Sequence, residues 1–564
     1  MSADGPAAET PAPTAFAAFC VAGDAIRSTP SKTKKVETLA SYLKTVSDHC
    51  LPFVCRLYAG DVFPPGSRND LLVGYSALIT VIIEISGASN ESLSKTYRKH
   101  GDLGEAVSEL LTEKRAEPIL RNEITLDRLQ TAFERMAAAR GPGSTHERRL
   151  LLKSLFLDCT ALEAKYLTKI LAGELRIGLQ AGLVLEAIGK AFGGSPREVR
   201  GAFLVLGDIG LTALSAKRGS LKDARIEPLH PTNFMLAEPM ASAAEIASHF
   251  KGPVLAEYKY DGIRAQAHKA DDRVRIFSRR LDDVSLSFPE LVDSLTTVNG
   301  VLILDGEVLP YQDGRPLPFT LLQQRLRRKR LTPKLLAEIP VVYFVYDLLY
   351  RDGEAYLGAP LERRRALLES IDFHPPVLLS HMRKLTTGKE IETYFHESKD
   401  HGYEGLVVKD PISPYEPGRR GGYWVKLKKE LDTLDVVIVG AEYGHGKRAR
   451  VLSDYIFAVR SPGGLKVVGK AYSGLTDNEI LGLTAKLKSI TTQDLGYRRL
   501  VKPEIVLEVA FDNVQRSSRH DSGYALRFPR IKRIREDKLP ADADTLARIE
   551  EIHRRQVLST GIKV

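Results

Sequence analysis

Cysteine is scarce in this chain: its 564 residues include four, Cys20, Cys50, Cys55 and Cys159, and no two make a C-x-x-C pair. Such sparse thiols exclude a disulfide framework, argue against a structural zinc site and fit a reducing cytoplasm. Long apolar runs are missing as well, so no membrane-spanning helix is expected. The Ala- and Pro-rich start lacks the cationic-then-apolar order of a signal peptide and reads as a disordered tail over 1–15. Alternating Val and Ile are rare before residue 220, which excludes an extended sheet there. Positive charge is in excess, with 81 Lys and Arg against 71 Asp and Glu and a net charge of +10. That excess points to a polyanionic partner, because each phosphate neutralised releases bound counterions.

The length is too great for one core and calls for several domains. Apolar residues recur at helical spacing in 71–85, 154–171 and 184–191, predicting a helical domain over 16–225. Two turns there share a Gly-Asp-aliphatic-Gly pattern, Gly101-Asp102-Leu103-Gly104 and Gly207-Asp208-Ile209-Gly210, and hint at an internal repeat. A third turn, Arg176-Ile177-Gly178-Leu179, lies between them. Glycine turns at helix ends either cap the helix or offer backbone N–H groups to phosphate. After the proline-bearing linker at 228–231, short β-patterned runs (274–277, 301–304, 341–345, 406–408) alternate with helical ones, an α+β domain over 226–429. From 430 the β-patterned runs 436–441, 455–459, 466–471 and 505–511 alternate with glycine turns, which suggests a β-barrel of OB type over 430–564, with a closing helix at 542–556.

The candidate chemistry centres on Glu257-Tyr258-Lys259-Tyr260-Asp261-Gly262-Ile263-Arg264, a lysine just before an Asp-Gly turn with an arginine five residues on. An amine becomes a good nucleophile when its proton is lost, and burial or a neighbouring cation such as Arg264 or a metal favours that. Lys426 and Lys428 stand two apart on a β-patterned run and so share one face. Carboxylates at strand ends, Glu307 and Glu404, complete the set.

These segments, in order, resemble the motifs of the covalent nucleotidyltransferase superfamily of DNA ligases, RNA ligases and capping enzymes. Lys259-Tyr260-Asp261-Gly262 is similar to its first motif, and Ser278-Arg279, Leu304-Asp305-Gly306-Glu307 and Tyr346-Asp347 to the next three. Glu404–Lys409, Trp424–Lys429 and Arg527–Lys538 resemble the last three. The resemblance implies that Lys259 carries a covalent AMP and that Lys426 and Lys428 contact the α-phosphate. By it, Glu257 accepts from the adenine amino group, and Tyr346 stacks on the base, with Phe344 as the alternative on that strand. Arg264 and Arg279 contact the ribose or the nick 5′-phosphate, and Arg535 and Lys538 orient the leaving pyrophosphate. Glu404 holds the metal and Glu307 the ribose or metal, with Mg²⁺ or Mn²⁺ as the ion.

Within the superfamily the helical segments around Gly104, Gly178 and Gly210 resemble the DNA-binding domain of eukaryotic and archaeal ATP-dependent DNA ligases, which tilts these turns toward phosphate contacts. Phe319 and Phe528, each beside a proline, match aromatic wedges at the nick, with core packing as the alternative for both. The run 325–330 reads as a phosphate-facing basic patch or a solvated helix face. Ligases that use NAD⁺ carry a cysteine-rich finger that four scattered cysteines cannot build, so ATP is the expected substrate. The resemblance implies an ATP-dependent DNA ligase sealing 5′-phosphate/3′-hydroxyl nicks in replication, repair or recombination, a monomer encircling nicked duplex DNA without a membrane. The rival is an RNA ligase or capping-type guanylyltransferase using the same lysine. The chain ends soon after the last motif and has no long regulatory tail, which leads to the expectation of a prokaryotic, nucleoid-associated cytoplasmic enzyme.

Overall fold

The computed structural model describes residues 14–114, 122–326, 328, 331–428, 432–444, 448 and 451–560. The tail expected over 1–15 falls outside them except for Thr14 and Ala15. Those two are anchored: Ala15 is buried and bridges to Thr125, and Leu126 N–H donates to the Thr14 carbonyl at 2.9 Å. Among the described residues no helix is long and apolar enough to cross a membrane.

Among the described residues, twelve α-helices between Phe16 and Lys217 pack around one apolar core. The stretch 154–171, helical by spacing, is two helices: Ser144–Asp158 ends where Cys159 turns extended, and Thr160 caps Ala161–Leu171 with a capping box closed by Glu163. The repeat hinted at by the two Gly-Asp-aliphatic-Gly turns has a structural basis. Gly101 and Gly207 end helices in left-handed conformation at φ +65° and +67°. Asp102 and Asp208 receive backbone N–H groups of the next helix, and each also pairs with a cation from another helix. Asp102 holds Lys169 of Ala161–Leu171, while Asp208 holds Arg56 of Leu51–Ala59 through two oxygens at 3.0 and 2.6 Å. The closing glycines then meet those same helices. A Cβ on Gly104 would stand 2.6 Å from the Lys165 carbonyl oxygen, and one on Gly210 2.6 Å from that of Pro52.

The central domain sets two sheets against each other. One has strand order Glu238–Met240, Trp424–Lys428, Gly405–Lys409, Val254–Tyr258, Met382–Leu385. The other runs Arg273–Ser278, Ile263–Ala270, Leu302–Gln312, Val341–Arg351, Glu354–Ala355, with two short strands beside it. Aliphatic and aromatic side chains from both fill the space between them, Val254, Leu406, Leu309 and Phe344 among them. The third domain is a seven-stranded antiparallel sheet around a core of Val436, Phe457, Leu507 and Phe511. Register shifts at Ile438/Gly440 and Phe457/Ala458 are β-bulges, which add the curvature a small OB-fold needs.

Candidate active site

The facing edges of the two central sheets enclose a cavity of about 520 Å³ lined by Glu257, Lys259, Arg264, Glu307, Tyr346 and Lys426, with Arg279 at its mouth. Seven sequence-predicted residues therefore meet in one place. Of the two candidate aromatics on Val341–Arg351, Tyr346 and Phe344, Tyr346 lines the cavity. Phe344 is spent in the core, stacked on Tyr260 at 4.5 Å with the rings 9° apart.

At the Tyr346 end the cavity is backed by a buried polar network. Ser380 donates to Glu257 Oε2 at 2.9 Å, and Arg365 in turn donates to the Ser380 hydroxyl at 2.9 Å. Lys409 pairs with Glu257 Oε1 and lies over the Tyr346 and Trp424 rings. A carboxylate oriented this way at the wall of an aromatic-lined slot suits an amino group on a planar base.

Lys259 lines the same cavity. Its N–H donates to the Gly405 carbonyl at 2.8 Å and its own carbonyl accepts from Glu404 N–H at 3.0 Å, so the nucleophile candidate is tied to the neighbouring strand. Two glycines of these motifs are fixed by close approach: a Cβ on Gly262 would stand 2.2 Å from the Val308 carbonyl oxygen, and one on Gly405 2.2 Å from that of Leu427. The Lys259 ammonium is held by Glu404 in an ion pair. Arg264, expected to face Lys259 as a cation or to meet the substrate, is engaged elsewhere. Its guanidinium makes a two-point pair with Asp305 at 3.1 and 2.7 Å and donates to the Met235 carbonyl, while Tyr415 O–H also donates to Asp305. Two N–H positions of Arg264 remain for a ligand.

Carboxylates crowd around Lys259. Burial, set against the Lys259 and Arg264 charges, pushes the Glu307 carboxyl up to about 8. Burial and the charge of Glu404 push Asp261 up to about 6, opposed by Lys259 and by Arg527 of the third domain. Among the described residues no three His, Cys, Asp or Glu side chains are arranged to hold an ion by themselves. The crowded oxygens of Asp261, Glu307 and Glu404 nevertheless fit a Mg²⁺-type cation, which takes few carboxylates and completes its shell with phosphate and water. Such an ion would offset the burial that raises Asp261 and Glu307 and the carboxylate repulsion that adds to it.

Arg280, Arg420, Val407 and Trp424 also line the cavity and were not assigned by sequence. Val407 and Trp424 lie inside quoted motifs, whereas the signal for Arg420 was only a pair of arginines in the glycine-rich stretch before Trp424. Lys428 follows Lys426 on the strand, and its side chain is outside the described residues. Arg535 and Lys538 are not among the lining residues. Both pair with Asp435, at 3.0 and 2.5 Å, and Arg535 also pairs with Asp537. The third domain instead turns Arg527 toward the central domain, its guanidinium over the Phe319 ring at 5.5 Å and over Phe528 at 4.9 Å. Phe319 is half-buried, while Phe528 is 63% exposed and has φ +49°.

The basic run 325–330 needs correction at its first residue. Arg325 is fully buried, pairs with Glu290 at 2.6 Å and donates to the Ile339 and Ser287 carbonyls, so it braces the core. Arg327, Lys329 and Arg330 lie outside the described residues. In the helical domain Gly104 and Gly210 are buried, and the absence of a side chain has a packing cause at each. Gly178 is exposed at φ +68°, its turn pinned by buried Lys35, which donates to the Ile177 carbonyl.

A helical domain, a two-sheet domain around a lysine-centred cavity and an OB-fold together define a nucleotidyltransferase-class enzyme. The family models described as DNA ligase N terminus, ATP dependent DNA ligase domain and ATP dependent DNA ligase C terminal region match residues 15–189, 234–428 and 448–538. A probable DNA ligase of Koribacter versatilis is 43% identical over 559 residues, covering 94% of this chain and 96% of its own. A DNA ligase of Methanoculleus marisnigri is 38% identical, covering 96% and 98%. The solved structure Pmar-Lig_Pre, 16% identical, shares the fold with a TM-score of 0.56 over 92% of this chain and 99% of that one. The chain belongs to the ATP-dependent DNA ligase family, enzymes that use ATP and whose general function is to seal breaks in DNA.

Proposed function

We propose that the enzyme seals 5′-phosphate/3′-hydroxyl nicks in duplex DNA through a covalent AMP on Lys259. The observation that carries the reading is a single cavity whose walls bring together Lys259, Glu257, Tyr346, Lys426 and Arg279. In the first step the Lys259 amine attacks the ATP α-phosphate, the N–P bond forms as the bridging P–O bond breaks, and pyrophosphate leaves. Before it can attack, the ammonium must leave its ion pair with Glu404 and lose a proton to solvent. Lys426 and Lys428 carry the charge that builds on the α-phosphate oxygens. A divalent ion held by Glu307 and Glu404 would supply further charge neutralisation and would displace the proton that burial keeps on Glu307 near neutrality.

In the second step an oxygen of the nick 5′-phosphate attacks the same phosphorus and frees Lys259. The 3′-hydroxyl then attacks the 5′-phosphate and AMP leaves. Arg264, with its two remaining N–H positions, and Arg279 serve the ribose and that phosphate. Arg535 and Lys538 reach the pyrophosphate by a turn of the third domain that breaks their pairs with Asp435. The Gly104, Gly178 and Gly210 turns face backbone phosphates, and Phe319 and Phe528 probe the base step at the break. The monomer wraps duplex DNA in the cytoplasm and serves replication, repair or recombination.

The test is transfer of label from α-labelled ATP or GTP, with Mg²⁺ or Mn²⁺, read on a denaturing gel. Wild-type protein should take label from ATP, Lys259→Ala should take none, and the labelled enzyme should seal nicked DNA. Label from GTP alone would move the reading to a capping-type enzyme. Sealing confined to RNA duplexes would make it an RNA ligase.

A further inference from the structure

Glu257 lines the nucleotide cavity, and both of its oxygens are held from behind. Lys409 pairs with Oε1 at 2.6 Å, and the Ser380 hydroxyl donates to Oε2 at 2.9 Å. Arg365 donates in turn to that hydroxyl at 2.9 Å. Ser380 and Arg365 are buried, and neither is among the residues lining the cavity. The chain from Arg365 through Ser380 to Glu257 has one direction. A guanidinium carries donors alone, so the hydroxyl accepts from it and has its single proton left for Glu257.

Each link of that chain is fixed. Arg365 sits on the helix Leu361–Glu369, where its Nε donates to Glu369 at 2.6 Å and its second Nη to the Ser380 carbonyl at 3.0 Å. Ser380 follows the short strand Val377–Leu379, and its N–H donates at 2.8 Å to the carbonyl of Val345, the residue before Tyr346. The next N–H, of His381, donates at 3.0 Å to the hydroxyl of Tyr260, the residue after Lys259. The Ser380 hydroxyl is thus placed against both the strand of Tyr346 and the segment of Lys259. Residues 365 and 380 nevertheless lie outside every motif quoted above. With a donor already on each oxygen, Glu257 offers the cavity acceptor capacity alone. An amino group on a base finds a partner there, whereas an oxo group brings no proton and meets carboxylate oxygens.

We propose that Arg365 and Ser380 are positioning residues that set the choice of base: they hold Glu257 as a fixed acceptor, so that the cavity takes a purine bearing an amino group and turns away one bearing an oxo group in its place. A site built to accept from a substrate N–H discriminates strongly against the analogue without it, provided its own polar group cannot turn to find another partner. Ser380 and Arg365 remove that freedom. The assignment rests on the adenylation reading of Lys259 given above, with the base between Glu257 and Tyr346.

The experiment uses the full-length enzyme and the variants Ser380→Ala, Ser380→Thr and Arg365→Lys. Label uptake is read from three α-labelled triphosphates: ATP, GTP and the triphosphate of unsubstituted purine riboside, which carries neither group. Ratios between triphosphates on one preparation cancel any loss of folded protein. Ser380→Ala should raise the ATP concentration for half-maximal uptake by about tenfold while the saturating rate stays within about threefold, because the contact is made before and during attack alike. Its preference for ATP over the other two triphosphates should fall by about tenfold, the worth of one hydrogen bond to a charged group. Arg365→Lys should lose part of that preference, and Ser380→Thr, which keeps the hydroxyl, should hold most of it. Preferences unchanged in Ser380→Ala, whatever the overall rate, would overturn the proposal in favour of a structural role. So would a threonine variant as indiscriminate as the alanine one. Wild-type enzyme that takes label from ATP and GTP alike would overturn the base assignment and leave Lys259 standing. Wild-type enzyme that takes no label from ATP would overturn the adenylation reading itself, and this assignment with it.

Discussion

Lys409 Nζ lies 2.6 Å from Glu257 Oε1, and neither side chain is more than 3% exposed. The ammonium also rests on two ring faces, 4.4 Å from the Tyr346 centroid and 4.0 Å from that of Trp424. Burial pulls its pKa below the usual lysine range while Glu257 opposes the shift. Losing one partner of such a pair strands a buried charge, so Lys409→Met should destabilise the central domain by about 3–5 kcal/mol. Adding Glu257→Gln removes the stranded carboxylate and should recover part of the loss. Trp424 is the sole tryptophan of the chain and touches the pair, so its fluorescence during denaturant unfolding reports this domain. A double variant that loses the sum of the two single losses would falsify the coupling.

Glu307 makes the ligand-free protein sensitive to pH. Its carboxyl is raised to about 8 from an ordinary value of 4.5, chiefly by burial. Between those values the folded protein keeps a proton that the unfolded chain releases, so stability falls as pH rises through the window. Glu307→Gln cannot ionise and should escape this loss. Melting temperatures of wild type and variant should therefore differ little below pH 4.5, then diverge in favour of the variant up to about pH 8. Parallel curves across that range would show that Glu307 ionises in the folded protein as freely as in the unfolded chain.

Much of this was legible in the sequence because the chemistry sits in short local segments. Glu257, Lys259 and Arg264 are within eight residues, and a strand-turn-strand places all three on the cavity wall. Tyr346 over Phe344 followed from neither composition nor spacing. Both alternate with core residues on one strand, and only the second sheet decides which faces a void and which meets Tyr260. The same limit hid the fate of Arg264, whose partner Asp305 lies 41 residues on in the adjacent strand. Arg325 was misread for the opposite reason. A basic run looks solvated, yet its first guanidinium finds Glu290 and two carbonyls inside the core. In the helical domain the paired glycine turns were visible, but the reciprocal ion pairs that bury Gly104 and Gly210 join residues 67 and 152 apart.

Gly210 and Gly178 should separate when each becomes alanine. At Gly210 the new methyl would meet the backbone of Pro52 at 2.6 Å, which cannot swing away, so overpacking should cost about 1–3 kcal/mol. At Gly178 the nearest atom is the flexible Lys35 Nζ at 2.9 Å, and the left-handed backbone costs about 1 kcal/mol. Gly178→Ala should thus weaken binding to duplex DNA at fixed salt more than it lowers the melting temperature, with Gly210→Ala the reverse. Weakened DNA binding by Gly210→Ala at wild-type melting temperature would instead put that turn on a phosphate.

Phe528 is a large apolar side chain, 63% exposed, on a residue at φ +49° that a non-glycine rarely adopts. Exposure and backbone strain together are costly for folding and are tolerated where a site uses them. Phe319 differs: it is half-buried, packs against the central core, and shares the Arg527 guanidinium with Phe528. Phe528→Ala should leave label uptake from ATP and the melting temperature near wild type but slow nick sealing by about tenfold or more, as loss of a base-step wedge requires. Phe319→Ala should slow sealing and also lower the melting temperature, since it removes a core contact. Sealing and label uptake measured on the same preparations decide the matter: if Phe528→Ala slows both steps equally, the ring supports the domain interface and does not probe the break.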